Sequence, residues 1–386
     1  MPDETAKPAA RIDVGAMTTT GPATLCGRYL RMFWHPVLLA EELKPGHALP
    51  LEIMSEKFTL YRGEGGQPHA VAHHCAHRGA QLSLGYVEGD CVRCLYHGWK
   101  FDPKGQCVEQ PAEHGEGFAR EIRIRSYPVV EYLGLLFVWF GAGAAAPMPR
   151  FPEFEGDGVL DGTTYIRDCN YFQNVENGVD EAHLPFTHRR SAFDVLNHDV
   201  PKVDGKETEY GILQTGTRGD GTVRYTHFLM PTMLSFVHPA ADPVVTDWPL
   251  YLSFRVPIND ALHKSFVIEL FPVKAEDRDG FRARRQAMKA QVAALPPAAE
   301  IASAILAGKL RLKDVLDRPD IVNIQDHVSQ VSQGTVADRG AERLGRSDSA
   351  IVVLRRLWER DLRAVAEERA PHPWRYPEKL PRPKGV

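Results

Sequence analysis

The chain has 386 residues, 43% hydrophobic and 25% charged, a composition that supports a buried core and excludes an intrinsically disordered chain. Its formal net charge of -4 carries no basic excess of the kind drawn to phosphate backbones or anionic lipid, so nucleic acid is not an expected partner. No apolar run reaches the roughly 18 residues of a membrane span, and the N-terminus lacks a secretory pattern, so no membrane association and a cytoplasmic location are expected.

Residues 1–27 are expected to form an N-terminal arm, loose over residues 1–20. From 28 to 140, short β-rich runs such as FTLYR, AVAHHC and LLFVWF alternate with Gly, Pro and Asp turns, the pattern of a small antiparallel β domain. Within it stand Cys75, His77, Cys91, Cys94 and His97. In a reducing compartment such clustering favours metal over disulfides. Structural zinc would use Cys91 and Cys94 as a Cys-x-x-Cys pair plus two of the others. The alternative division is Cys75-x-His77 with Cys94-x-x-His97, two loops that each supply one thiolate and one imidazole. A 2Fe-2S cluster with cysteines on one iron and histidines on the other needs that mixed supply, and replacing two thiolates by neutral imidazoles makes reduction easier. Cys91 is then a bystander, and His73 and His74 belong to a strand face.

Residues 141–154, GAGAAAPMPRFPEF, shift to Ala, Gly and Pro and mark the start of a second domain, 141–386. A polar helix around 172–184 precedes the strand runs GTVRYTHFLM, MLSFVHP, LYLSFRVPI and KSFVIELFPV, so a twisted sheet with a helix beside it is expected. In CNYFQNVENGVDEAHLPFTHRR, Asp180 and His183 are three apart and share a helix face, whereas His183 and His188 would diverge on an unbroken helix. Pro185 is expected to end the helix near Leu184 and let the chain return His188 to His183. Two histidines and one carboxylate leave iron(II) open for dioxygen and substrate. Asp180 could be that carboxylate, but it is better placed behind the ligands, accepting a hydrogen bond from an imidazole N–H. The bland alternative is a polar surface helix. From Arg282 the chain turns helical, ending in SDSAIVVLRRLWERDLRAVAEERA, with Ser347 or Asp348 as N-cap and Ile351, Leu354, Leu357, Trp358 and Leu362 at helical spacing. The fold class is therefore α+β.

The Cys-x-His and Cys-x-x-His pairs, with HRG after the first histidine and HGWKFD at the second, closely resemble the Rieske motif. Followed by the Asp180, His183 and His188 segment, the chain resembles the alpha (oxygenase) subunits of Rieske non-heme iron aromatic ring-hydroxylating oxygenases, of phthalate, phenoxybenzoate and vanillate O-demethylase type. That resemblance implies a Rieske domain joined to a catalytic domain of helix-grip, START-like form. It implies a 2Fe-2S cluster on Cys75, His77, Cys94 and His97, and mononuclear Fe(II) on His183, His188 and a downstream aspartate. Asp314, Asp317, Asp320 and Asp326 are the candidates for the last. Asp326, in NIQDHVSQVSQGTVADR, resembles the family's ligand segment, whereas Asp314 and Asp317 lie in a charged stretch and His327 would point elsewhere. By the same resemblance Asp180 bridges a cluster histidine, His97 or His77, of one protomer and His183 of the next, which implies a homotrimer. Gln173, Asn174 and Asn177 are plausible supports.

The resemblance implies an NAD(P)H-dependent mono- or dioxygenase that takes electrons from a reductase carrying a flavin and a ferredoxin-type cluster. Its expected reaction is hydroxylation of a carboxylated aromatic substrate with O2, with O-demethylation of a methoxylated aromatic acid as the alternative. The pocket is placed among residues 205–275, with His227, Phe228, Met230 and Phe236 as lining candidates. Arg218, Arg224 or Arg255 could pair with a carboxylate, although each also reads as an ordinary surface arginine. Two other classes compete: a Rieske electron-transfer protein without mononuclear iron, and a zinc-stabilised interaction protein.

Overall fold

Short antiparallel strands dominate residues 34–139 of the computed structural model, which describes residues 12–113, 117–190 and 199–383. In chain order they are β1 (Trp34–Leu39), β2 (Ala48–Ile53), β3 (Glu56–Arg62), β4 (Pro68–Ala72), β5 (Tyr86–Glu88), β6 (Cys91–Arg93), β7 (Lys100–Phe101), β8 (Cys107–Glu109), β9 (Ser126–Tyr127), β10 (Val129–Tyr132) and β11 (Leu135–Trp139). They pair as β2-β3-β4-β9, β5-β6-β7-β8 and β1-β11-β10. The run FTLYR falls in β3 and LLFVWF in β11, each with neighbours on both sides. β11 is buried along its whole length, as a continuous apolar run bounded by turns should be.

The second part is a seven-stranded antiparallel sheet in the order β12-β18-β17-β16-β15-β14-β13. Its strands are β12 (Val159–Arg167), β13 (Lys202–Glu207), β14 (Gly211–Thr217), β15 (Val223–Leu229), β16 (Met233–Val237), β17 (Leu250–Asn259) and β18 (Leu262–Phe271). The helices are α1 (Leu25–Leu30), α2 (Phe118–Glu121), α3 (Tyr171–Asn177), α4 (Leu184–Thr187), α5 (Arg278–Ala293), α6 (Ala298–Leu306), α7 (Ile321–Val331) and α8 (Ser349–Ala366). α8 buries Ile351, Leu354, Leu357, Trp358 and Leu362, the stripe read from its spacing, with Asp348 at its N-cap. Trp358 packs edge-on against Tyr29 and Phe172, each at 5.3 Å, and so ties α1, α3 and α8 together. One hydrophobic core runs from Phe58 and the β11 residues through Phe254 and Phe266 to Trp358. A smaller, separate core of Tyr61, Val71, Val92, Trp99, Phe101 and Ile124 underlies the β5–β8 sheet.

The segment expected to be a loose arm is packed from Ile12 onward; its first eleven residues lie outside the described set. Met17 and Thr20 are buried, and the Met17 and Thr18 carbonyls accept hydrogen bonds from the Tyr171 hydroxyl (2.6 Å) and Asn170 Nδ2 (2.8 Å). Small polar residues look solvated in sequence, yet here they satisfy buried donors of the α3 region. The Ala, Gly and Pro stretch after residue 140 is likewise anchored: Phe151 and Phe154 are buried, and Trp34 Nε1 donates to the Ala146 carbonyl at 2.8 Å.

Candidate functional site

Two loops of the small β part share one backbone frame. The Cys75 N–H donates to the Ala80 carbonyl (2.8 Å) and the Gly79 N–H to the Cys75 carbonyl (3.0 Å). In the second loop the Cys94 N–H donates to Trp99 O (2.8 Å) and the Gly98 N–H to Cys94 O (3.1 Å). Gly79 (φ 74°) and Gly98 (φ 73°) close the turns in the left-handed region, which suits glycine. The twin turns bring the thiols of Cys75 and Cys94 side by side, both buried, and burial with the neighbouring thiol pushes Cys75 up to about 11. The rings of His77 and His97 lie 4.4 Å apart, and His77 stacks on Trp99 at 4.5 Å. His77 Nδ1 is buried without a hydrogen-bond partner, which fits a ring nitrogen meant for a cation. Cys91 sits on β6, paired with Glu88 and outside the small core that holds Cys75 and Cys94. The two loops thus pair the two thiols with each other and the two imidazole rings with each other.

The second constellation lies where α3, α4 and α7 meet the large sheet. His183, His188 and Asp326 each offer a ligand atom, and these atoms all lie within 4.8 Å of one another. His183 Nε2 is 3.7 Å and His188 Nε2 3.4 Å from Asp326 Oδ1. The far ring nitrogens are tied down: His188 Nδ1 meets Gln325 Oε1 at 3.0 Å, and His183 Nδ1 contacts the Asp180 backbone carbonyl. With Nδ1–H donating in both rings, both Nε2 lone pairs face the same point. Asp326 Oδ1 is buried and lacks a hydrogen-bond partner, so this donor set also fits a metal ion. Burial opposes ionisation of Asp326, but His188 and the Arg167 guanidinium, whose Nη2 lies 3.6 Å from Oδ2, hold its carboxyl below the usual range.

The local chain path differs from the sequence expectation. The helix ends at Asn177 with Gly178 as cap, well before Leu184, and Pro185 lies in the first turn of the short α4. Proline lacks only a donor that a first turn leaves unbonded, so here it starts a helix instead of ending one. His183 and His188 flank α4 as its N-cap and C-cap, and this turn brings them together. The helix is not a polar surface helix either: Tyr171 to Glu176 are buried. Asp180 does not accept from the imidazole through its carboxylate; Oδ2 is 3.8 Å from His183 Nδ1, while Oδ1 accepts from the Ala182 N–H at 3.0 Å. Burial raises the Asp180 carboxyl above its ordinary value.

A cavity of about 180 Å3 opens beside the three converging side chains, lined by Tyr165, Asn174, Phe236, Tyr251, Arg224 and Arg255 among others. Roomier clefts of about 690 and 500 Å3 contain none of the three, so chemistry and not size identifies the site. Of the expected lining residues only Phe236 is present. Phe228 and Met230 belong to the core, and His227 bonds the Tyr210 hydroxyl and the Pro381 carbonyl. Arg218 and Arg255 are buried, not surface arginines, because Arg218 meets Glu181 and Arg255 meets Ser253 inside the sheet. Gln173 supports α7 and its C-terminal turn through Gln330 and Gly334, whereas Asn174 and Asn177 line the cavity. Asp314 and Asp320 pair with Arg311 and Arg318, and His327 points toward Asp168. Arg167 and Gln325 escaped the sequence reading, which holds no local signal for them.

Residues 33–128 match the family model described as Rieske [2Fe-2S] domain. The chain is 28% identical over 372 residues to the 5,5'-dehydrodivanillate O-demethylase oxygenase subunit of a Sphingobium species, covering 92% of this chain and 81% of that one. It is 29% identical over 384 residues to the tert-butanol monooxygenase / tert-amyl alcohol desaturase oxygenase subunit of Aquincola tertiaricarbonis, covering 92% and 77%. In fold it is similar to the terminal oxygenase of carbazole 1,9a-dioxygenase from Nocardioides aromaticivorans, with TM-score 0.66, 23% identity, and 88% and 98% of the two chains covered.

Proposed function

The chain belongs to the Rieske non-heme iron oxygenases as an oxygenase component, and from that premise we propose that it hydroxylates the ring of a carboxylated aromatic substrate with O2. It is an oxidoreductase with two cofactors, a 2Fe-2S cluster and one mononuclear iron. The observation that carries the reading is the convergence of His183, His188 and Asp326 beside a cavity walled by Phe236 and Tyr251, whose rings stack at 4.3 Å. Electrons come from an NAD(P)H-dependent reductase carrying a flavin and a ferredoxin-type cluster. The oxygenase of carbazole 1,9a-dioxygenase, similar in fold, has been solved in complex with a ferredoxin, which supports an iron–sulfur donor.

When bound, the cluster relays single electrons and the mononuclear iron activates dioxygen. Cys75, His77, Cys94 and His97 hold the first in this reading, and His183, His188 and Asp326 the second. Gln325 Oε1 and the Asp180 carbonyl accept from the Nδ1–H groups of His188 and His183, which turns both Nε2 atoms toward Asp326. The Asp180 carboxylate reaches across a subunit boundary. In this reading its partner is a cluster histidine, His97 or His77, of a neighbouring protomer in a homotrimer; within its own chain Oδ1 accepts from the Ala182 N–H and Oδ2 lies 3.8 Å from His183 Nδ1. Leu84, Tyr86, Leu95 and Tyr96, all exposed around the cluster loops, form the apolar surface such a neighbour would cover. The division into residues 28–140 and 141–386 and a cytoplasmic location belong to the same proposal. No described helix is long and apolar enough to cross a membrane.

Oxygen uptake by the purified protein with a surrogate reductase, screened over phthalates, methoxybenzoates and phenoxy acids, tests the reading. Substrate-dependent uptake is expected, and uptake with none of them would overturn it. The similar O-demethylase subunit favours a second reading, attack on a methoxy carbon. That reaction releases formaldehyde and a phenol, so a formaldehyde assay in the same screen separates the two.

A further inference from the structure

Four arginines lie at or near the cavity, and three of them face a carboxylate: Arg167 meets Asp326 at 3.6 Å, and Arg218 and Arg224 share Glu181, with Asp199 3.7 Å from Arg218. Glu181, buried among them, lies 3.2 Å from Arg218 Nη2 and 3.5 Å from Arg224 Nη1. Arg255 differs. It is 4% exposed, yet among the described residues no carboxylate lies within ion-pair distance of it. Its Nη1 donates to Ser253 Oγ (2.5 Å) and its Nε weakly to Asn174 Oδ1 (3.5 Å), both neutral acceptors. Nη2 has no acceptor among the described residues. It lies beside Gly178, where a Cβ would sit 3.4 Å from it, so the glycine keeps the approach open. A guanidinium withdrawn from water without an anion is expensive, and the expense disappears when a ligand brings the anion.

The same cavity that holds Arg255 holds the three converging donors, and its volume of about 180 Å3 sets the ligand's size. A cavity of roughly 150 Å3 takes up benzene, so one ring with a small substituent fits and two linked rings do not. Building on the oxygenase reading, we propose that Arg255 receives the carboxylate of a single-ring aromatic acid and thereby presents the ring to the His183, His188 and Asp326 site. Phe236 and Tyr251 flank the ring. Arg255 is a specificity-determining residue, not a catalytic one.

Calorimetric titration of the oxygenase as purified, with no reductase present, tests this without turnover. The probes are benzoate, para-methoxybenzoate, methyl benzoate and para-phenylbenzoate. A site built around a buried donor rejects a ligand that leaves it unpaired, so the acids should bind at least about 100-fold more tightly than the ester. The para-phenyl acid should bind at least about 10-fold more weakly than benzoate, since overfilling forces the walls apart. Arg255→Met should bind acid and ester alike, and Arg255→Lys should keep part of the preference. Retention of the visible cluster spectrum reports folding. If the Met variant fails to fold, the Lys variant and the acid-to-ester ratio of the unaltered enzyme decide.

Equal binding of acid and ester by the unaltered enzyme, a preference that persists in Arg255→Met, or no binding of either acid would overturn the assignment. Equal binding of the one-ring and two-ring acids would overturn the size limit. Oxygen uptake separates this from the function itself. A neutral substrate that drives uptake while acids fail to bind removes Arg255 and keeps the oxygenase; acids that bind while nothing drives uptake do the reverse.

Discussion

The two oxygens of Asp326 face different neighbours, Oδ1 the imidazoles and Oδ2 the guanidinium of Arg167. Asp326→Ala should therefore lose the mononuclear iron and keep the cluster, read as a drop in iron per chain with an unchanged Rieske resonance signal. Retention of all the iron would move the role to another carboxylate. His183 and His188 are legible in the sequence because their spacing from Asp180 is a local pattern, whereas Asp326 is singled out among four aspartates only by the resemblance of its segment to the family's ligand segment. Gln325 and Arg167 are not legible, because each matters only through a partner far along the chain, His188 in the case of Gln325. Histidines outside the site contribute to acid stability. His35 is fully buried, its Nε2 bonded to the Leu30 carbonyl (2.7 Å), and burial holds it down at about 4. Above pH about 6.5 the ring is neutral in both states and its contribution is intact. As pH falls toward 4 the unfolded chain takes up the proton first, and about 3 kcal/mol of stability drains away from this group alone. Buried His227, also held at about 4, adds in the same direction. Urea midpoints should fall between pH 7 and pH 5, and a flat profile would contradict this account.

At the scale of elements, α8 follows from its helical periodicity and the strands β15 to β18 from their β-rich apolar runs, since both signals are local. The break after α3 does not follow, because a proline inside an apparently helical run can stop one helix or start another. Nor does the burial of α3: its Gln173, Asn174 and Glu176 look solvated until Gln330, His263 and Arg339 arrive from distant segments. Asn170 is the residue that seats α3. It is fully buried, accepts from the Phe172 N–H at 3.0 Å, and donates to the carbonyls of Thr18 (2.8 Å) and Asp260 (2.7 Å). Asn170→Ala removes a cap and leaves one buried and one part-buried carbonyl without this donor, so chemical denaturation should show a loss of about 2 kcal/mol. A loss below roughly 0.5 kcal/mol, the level of an ordinary surface change, would deny Asn170 this role.

At the scale of the molecule, the proposed homotrimer and the proposed Asp180 relay stand or fall together. Light scattering should give three times the chain mass of 43.1 kDa. Asp180→Asn should preserve that mass and both metal contents while slowing turnover by at least about 100-fold, since the amide cannot take the carboxylate's place in the proposed path between the centres. Unchanged turnover would sink the relay. The separate small core beneath the twin loops sets how the protein ages. Oxidative loss of the cluster would loosen the turns at Cys75–Ala80 and Cys94–Trp99 and the small core that Cys75, Cys94 and Trp99 belong to, while the continuous core from Phe58 to Trp358 contains none of these residues. A bleached sample would thus keep its main melting transition while amides in those two turns exchange freely. Colour, not melting temperature, is then the measure of how much of a preparation is still alive.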